Sequence, residues 1–165
     1  MMYPEMRRKK QALDPAACGA ILQAGTSGVL ALSGADGQPY AVPLSYVYAG
    51  GKLYFHCAKA GHKLDAIARD DRVCFTVTLR EELVQDHATS LYESVVVLGR
   101  AALVTDQATH QAALAHLVDA LGRVSPDLRD QYIARRGQNT AVLVIRPVHL
   151  TGKAKRDFRP IQQRM

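Results

Sequence analysis

PYAVPLSYVYAGGKLYFHCAKAGHK, residues 39–63, decides the fold. Its first part, Pro39–Tyr48, alternates in character and is rich in Tyr and Val, the pattern of a half-buried strand. Pro43 lies inside it, and a residue without an N–H predicts an edge, a bulge or a strand end there. Ala49-Gly50-Gly51-Lys52 supplies a tight turn, so Leu53–Cys57 returns as the next strand of a hairpin. Ala58–His62 follows as a loop containing Gly61. Lys63–Arg69 then switches to helical spacing. A strand, a glycine loop and a helix therefore succeed one another directly after a hairpin.

Working outward, the same signals recur. Asp14-Pro15 predicts a helix start, with Asp at the N-cap and Pro at the first helical position, and Ala16–Gln23 runs until Gly25. Thr26–Ser33 is a short apolar strand followed by the turn cluster Gly34–Gly37. Asp70-Asp71 ends the helix after residue 69, and Arg72–Leu79 is a strand. Arg80–Ser90 reads as a polar connection. Tyr92–Val104 has a long strand pattern, with Gly99 as a bulge or bend. Thr105–Leu121 has helical periodicity, capped by Thr105 or Asp106. Ser125-Pro126 predicts a second helix through Arg135. Thr140–Leu150 is a last strand, and from Thr151 the chain is a polar, basic tail.

The expected order is a helix, a run of strands with one short helix inserted, two helices and a final strand. Short turns join most neighbouring strands, so pairing is mainly antiparallel. About six strands favour a mainly β fold, a closed barrel with flanking helices. The 165 residues predict one domain with basic N- and C-terminal tails.

Composition narrows the function classes. No apolar run reaches the ~18 residues of a membrane span. Met1–Lys10 is charged but no apolar stretch follows it, so no secretory signal is expected and the default compartment is the cytoplasm. Cys18, Cys57 and Cys74 are odd in number with no C-x-x-C spacing, which is neither a disulfide framework nor a zinc site. The net charge of +6 gathers partly at the ends, in Arg7–Lys10 and in Lys153, Lys155, Arg156, Arg159 and Arg164. A basic balance suits nucleic acid or an anionic ligand. No recognition-helix, RRM or zinc-finger pattern accompanies it, so nucleic acid is not the expected main partner.

Chemistry concentrates in the segment already quoted. Gly61 permits backbone geometries that other residues resist. The N–H groups of its loop and of the following helix N-terminus favour an anion, and Lys59, His62 and Lys63 add donors there. This is a phosphate cradle in character, without Walker or dinucleotide spacing. The residues alone read equally well as a solvated strand–helix loop. On the preceding strand Tyr54 and His56 share one face and Phe55 takes the other, so one face is core and the other can line a pocket. Ser45 can offer a hydroxyl to the same pocket if its strand pairs with Leu53–Cys57, and reads equally as a surface serine. G-x-S-x-G and H-E-x-x-H are absent, and no catalytic residue or metal ligand set emerges.

In order and spacing, Met6–Lys9, Pro39-Tyr40, Val42–Tyr46, Leu53–Ala58, Gly61–Leu64, Arg72–Phe75 and Tyr92–Ala101 resemble the nitroimidazole-resistance (Nim) type of the pyridoxamine 5′-phosphate oxidase-like FMN-binding split barrels. The resemblance spans about Met6 to Val148. It implies a six-stranded antiparallel split barrel, and a homodimer with two flavin sites at the subunit interface. It implies that the Pro43-Leu44-Ser45 strand runs beside the isoalloxazine ring and that His56 faces the site. It further implies that Lys63 binds the phosphate, that Gly61, His62 and Cys57 belong to the same cofactor-binding stretch, and that Ser94 holds the phosphate or ribityl chain. The implied activity is that of an FMN-dependent oxidoreductase, passing electrons from a reduced nicotinamide or similar small-molecule donor to a small acceptor such as a nitroaromatic. Relatives use deazaflavin F420 or haem, so a non-catalytic flavin-, F420- or haem-binding module, acting as store or sensor, is the alternative.

Overall fold

The computed structural model describes Tyr3, residues 5–122 and residues 124–157. Its elements in chain order are β1 (Ala12–Leu13), α1 (Pro15–Ala24), β2 (Ser27–Ser33), β3 (Pro39–Ser45), β4 (Val47–Ala49), β5 (Lys52–Ala58), α2 (His62–Arg69), β6 (Arg72–Val84), β7 (Thr89–Leu103), α3 (Gln107–Gly122), α4 (Pro126–Arg136) and β8 (Thr140–Lys155). Three helices begin where a polar side chain replaces the missing helical acceptor. Asp14 accepts from the Ala17 N–H at 2.7 Å, Asp106 from Thr109 at 2.8 Å, and Ser125 from Leu128 at 3.4 Å.

The fold is mainly β and antiparallel, as expected, but the sheet has eight strands rather than six. The order is β3-β2-β6-β7-β8-β5-β4, with β1 paired to β8. It is also not closed. The segment 39–48, which reads as one strand, is two. β3 pairs with β2 in the register Ser45↔Ser27, and β4 pairs with β5 in the register Val47↔Tyr54. The chain thus leaves one edge of the sheet at Tyr46 and joins the other edge, so the sheet curls without its last hydrogen-bonded seam. Tyr46 is held at this crossing: it is 1% exposed, and its hydroxyl donates to the Leu22 carbonyl of α1 at 2.8 Å. Its ring packs edge-on against Phe75, which meets Phe55 in the same way.

Two further expectations are corrected. Arg80–Ser90 is not a loop but the outer half of the β6–β7 hairpin, paired from Arg80↔Glu93 to Val84↔Thr89. Residues 80–83 are exposed, so no apolar alternation marks them as a strand. Likewise the basic segment from Thr151 continues β8 to Lys155. It pairs with β7 on one side and with β1 on the other, through Ala12↔Lys153. Gly99 does mark a bulge. Leu98 pairs with His149 and Gly99 with Pro147, which leaves Val148 unpaired and 60% exposed. A Cβ at Gly99 would stand 2.6 Å from the Arg146 carbonyl oxygen, so only glycine fits this approach.

The inward side chains of the curled sheet, with Cys18, Ile21 and Leu22 of α1 and Ala66 and Ile67 of α2, form the main core. A second, smaller cluster lies on the outer side of β5 and β8, where Ala113 and Leu114 of α3 cover Val142. No helix among the described residues is long and apolar enough to cross a membrane.

Candidate functional site

The crossing at Tyr46 leaves two strand flanks without a strand partner among the described residues: the outer edge of β3, and the β4 side of β5 beyond Tyr54. These flanks border the split in the barrel. Pro43 is tolerated because β3 is an edge strand. Along β3, Tyr40, Val42 and Leu44 pack against the core, while Pro43 and Ser45 are exposed. Leu44 therefore braces the strand, and Pro43 and Ser45 present its outer surface. Ser45 pairs with Ser27, so the expected pairing of its strand with Leu53–Cys57 is made only by Val47–Ala49. The bend at Tyr46 is the physical reason.

β5 carries the strict alternation of a half-buried strand. Leu53 and Phe55 are fully buried inside, and His56 is exposed outside. Cys57 returns to the inside, half-buried against the core. Burial pushes the Cys57 thiol pKa up, and the nearby charge of Lys63 acts against that. Cys57 is thus a packing thiol close to Lys63 and stands on the opposite face from His56.

Gly61 ends the loop with φ +128°, and nothing lies within 4 Å of the position a Cβ would take. That conformation is essentially glycine's alone. The Gly61 carbonyl accepts from the N–H groups of Leu64 and Asp65, which starts α2. The N–H groups of His62 and Lys63, first in the helix, have no intrahelical acceptor. The His62 ring meets Tyr40 of β3 edge-on, with centroids 4.5 Å apart, which ties the loop to the edge strand across the split. Lys63 is half-buried, anchored between the exposed loop and buried Leu64. Two N–H donors thus stand at one helix start whose first two residues carry an imidazole and an ammonium, a donor set that fits a phosphate.

Ser94 is not brought to this loop within one chain. It faces Thr78 of β6 and Lys153 of β8, whereas His56 faces Val142 of β8. Eleven residues of strand separate Val142 from Lys153, about 36 Å at ~3.3 Å per residue. Ser94 belongs to the outer sheet surface, with Val29, Val96 and Leu98, and Tyr3 lies at part of that surface, stacked on His149.

Two cavities lie on the helix side of β5. One, of about 620 Å³, is lined by Lys59, Thr105, His110, Gln138 and Thr140 among others. His110 Nε2 is 2.8 Å from the Thr140 carbonyl, which can only accept, so Nε2 carries the proton. The other, about 370 Å³ and mostly apolar, runs from His56 and Thr140 to the facing sides of α3 and α4. Sequence reading missed both. The spacing Leu114, Leu117, Val118, Leu121 is legible as a helix face, but its partner α4 is set by tertiary packing.

The family model for pyridoxamine 5′-phosphate oxidase matches residues 14–154. Among solved structures, the fold is similar to a protein from Bacteroides thetaiotaomicron provisionally assigned to 5-nitroimidazole antibiotic resistance, with TM-score 0.73 and 23% identity over 86% of this chain and 85% of that one. It is similar to a FAD-binding protein from Mesorhizobium loti, with TM-score 0.67 and 26% identity over 88% and 97%. It is also similar to the flavocytochrome Anf3 from Azotobacter vinelandii, with TM-score 0.77 and 24% identity over 96% and 76%. No curated protein matches the sequence.

Proposed function

Because this chain belongs to the pyridoxamine 5′-phosphate oxidase family, we propose that it is an FMN-dependent oxidoreductase that moves electrons from a reduced nicotinamide or similar donor to a small acceptor, a nitroaromatic being one candidate. The observation that carries this reading is the glycine-opened start of α2, where Gly61 precedes the N–H groups of His62 and Lys63 and the Lys63 side chain, next to strand flanks that have no strand partner among the described residues. The similarity to a FAD-binding protein and to a flavocytochrome supports a flavin in this fold.

In this reading the Lys63 side chain and the N–H groups of residues 62 and 63 hold the phosphate. The free flank of β3, from Pro43 to Ser45, offers main-chain groups and the Ser45 hydroxyl to the ring system. The chemistry supplied by bound FMN is electron transfer, for which the protein provides binding, orientation and electrostatics. His56, exposed outside β5, offers Nδ1 and Nε2 to a ligand as donor and acceptor. Ser94 acts only if a second copy of the chain presents its outer sheet surface to the loop. The apolar character of that surface, with Val29 44% and Val148 60% exposed, supports a homodimer.

The test is an FMN titration followed by flavin fluorescence. Lys63→Ala is expected to weaken binding by about 1–3 kcal/mol, the loss of a charge-assisted hydrogen bond. Bleaching of the bound flavin by reduced nicotinamide is the expected sign of turnover. Protein that takes up no FMN, or an unchanged Lys63→Ala titration, sinks the reading.

A further inference from the structure

We infer that the apolar chamber between β5, α3 and α4 binds one small, uncharged aromatic molecule. Its volume of about 370 Å³ lies in the range of small-molecule sites, roughly 300–1,000 Å³. Leu114 and Leu117 are buried at its base, and Val118 and Leu121 form a half-exposed wall. Leu128 and Tyr132 of α4 form the roof. The polar residues of its lining are His56, Thr140 and Tyr132, and the Thr140 hydroxyl donates to the Arg136 carbonyl at 2.9 Å. Among the described residues no Lys, Arg, Asp or Glu lines it, so these walls offer a charged ligand no counter-charge for its lost hydration. Flat polar-edged side chains beside aliphatic walls suit an aromatic ring that carries one or two hydrogen-bonding groups.

The roof gives an independent reason to expect an occupant. α4 buries none of its residues. Leu128 and Tyr132 remain 52% and 46% exposed, although both face the chamber. The helix is held elsewhere, by Ile133 half-buried against the Ala113–Leu114–Val142 cluster and by Arg129 to Asp119 at 3.2 Å. A ligand of substituted-benzene or naphthalene size would remove both side chains from water and add to the contacts that hold the roof. The site's role as the seat of the electron acceptor rests on the flavin reading above, because His56 borders both the chamber and the split. Binding itself does not depend on that reading.

The experiment titrates N-phenyl-1-naphthylamine, an uncharged probe that fluoresces in apolar surroundings, into the full chain. One saturable site per chain is expected, displaced by acetophenone but not by benzoate. Val118→Trp, which fills the chamber, is expected to weaken the probe at least tenfold and leave the FMN titration and melting temperature unchanged. If that variant melts early, Leu128→Trp at the exposed roof repeats the test. The inference is overturned by absence of saturable probe binding or by unchanged affinity in both filled variants. FMN uptake without probe binding refutes this site alone. Probe binding without FMN uptake refutes the flavin reading alone.

Discussion

Replacing Tyr46 by Phe tests the device that opens the barrel. The ring would stay packed against Phe75 and Phe55, because the substitution removes only the hydroxyl. That hydroxyl is the donor to Leu22 O at 2.8 Å, inside a side chain only 1% exposed. Leu22 lies in the last turn of α1, where carbonyls run out of helical partners. Tyr46→Phe therefore leaves a buried acceptor without its donor, at a cost of about 1–3 kcal/mol. For a chain of this length that corresponds to a melting temperature lower by roughly 2–12 °C. The assay is urea unfolding by circular dichroism, since the chain has no tryptophan, with the slope expected to stay constant. Tyr46→Ala, which also empties the ring's volume, is expected to cost about 3–5 kcal/mol. A loss below about 0.5 kcal/mol in Tyr46→Phe would refute the claim that this bond pins the crossing strand.

Three other outcomes follow from particular groups. Gly61→Ala must place a Cβ on a backbone at φ +128°, so a loss of about 1–3 kcal/mol of stability is expected, read by thermal melting, or else a rearranged loop with weakened FMN binding; an unaltered variant in both assays contradicts the loop geometry. The Cys57 thiol, with its pKa pushed up by burial and partly drawn back by Lys63, should react with iodoacetamide at neutral pH more slowly than a free cysteine model, and more slowly still in Lys63→Ala; faster alkylation in that variant counts against the pairing. Asp70 is held at a pKa of about 2 by hydrogen bonds from the Arg72 side chain and N–H. Because the folded value is depressed, its support for the fold is complete above the ordinary aspartate range and is lost as pH falls towards about 2. Carboxyl carbon shifts should show that low midpoint and its return towards 3.8 in Arg72→Ala.

Short-range chemistry was legible and long-range pairing was not. The caps Asp14 and Ser125 act within three residues, so their helices begin where the sequence predicts. The period-two pattern of Leu53–Cys57 correctly puts Phe55 inside and His56 outside, because a strand's faces are decided locally. The division of residues 39–48 depends instead on which strands meet β2 and β5, and nothing in Ser45-Tyr46-Val47 announces it. The outer hairpin Arg80–Val84 was illegible for a different reason. A ribbon exposed on both faces needs no apolar alternation, so its polar residues resemble a loop. At the site, Gly61 and Lys63 stood out because a glycine with a cation at a helix start has a local meaning. The chamber needed the placement of α4, whose own residues are all at least partly exposed.

The same bend explains why the candidate site has free backbone at all. A sheet closed by hydrogen bonds would pair every strand flank and leave only side chains to meet a ligand. Here one chain segment serves both edges, β3 on one and β4 on the other, and it changes partner at Tyr46, whose N–H still donates to the Thr26 carbonyl at 3.0 Å. Among the described residues, the cost appears as a flank of β3 and one of β5, from Phe55 to Ala58, that have no strand partner. Those flanks converge on the loop that Gly61 and the His62–Tyr40 contact hold in place. The hydroxyl of Tyr46 sits inside the core and touches no ligand group, yet it fixes where the sheet parts. Stability at this residue and geometry at the loop are therefore coupled through one strand. A substitution that lets β4 extend its pairing along β5 would stabilise the sheet and remove the free flank together.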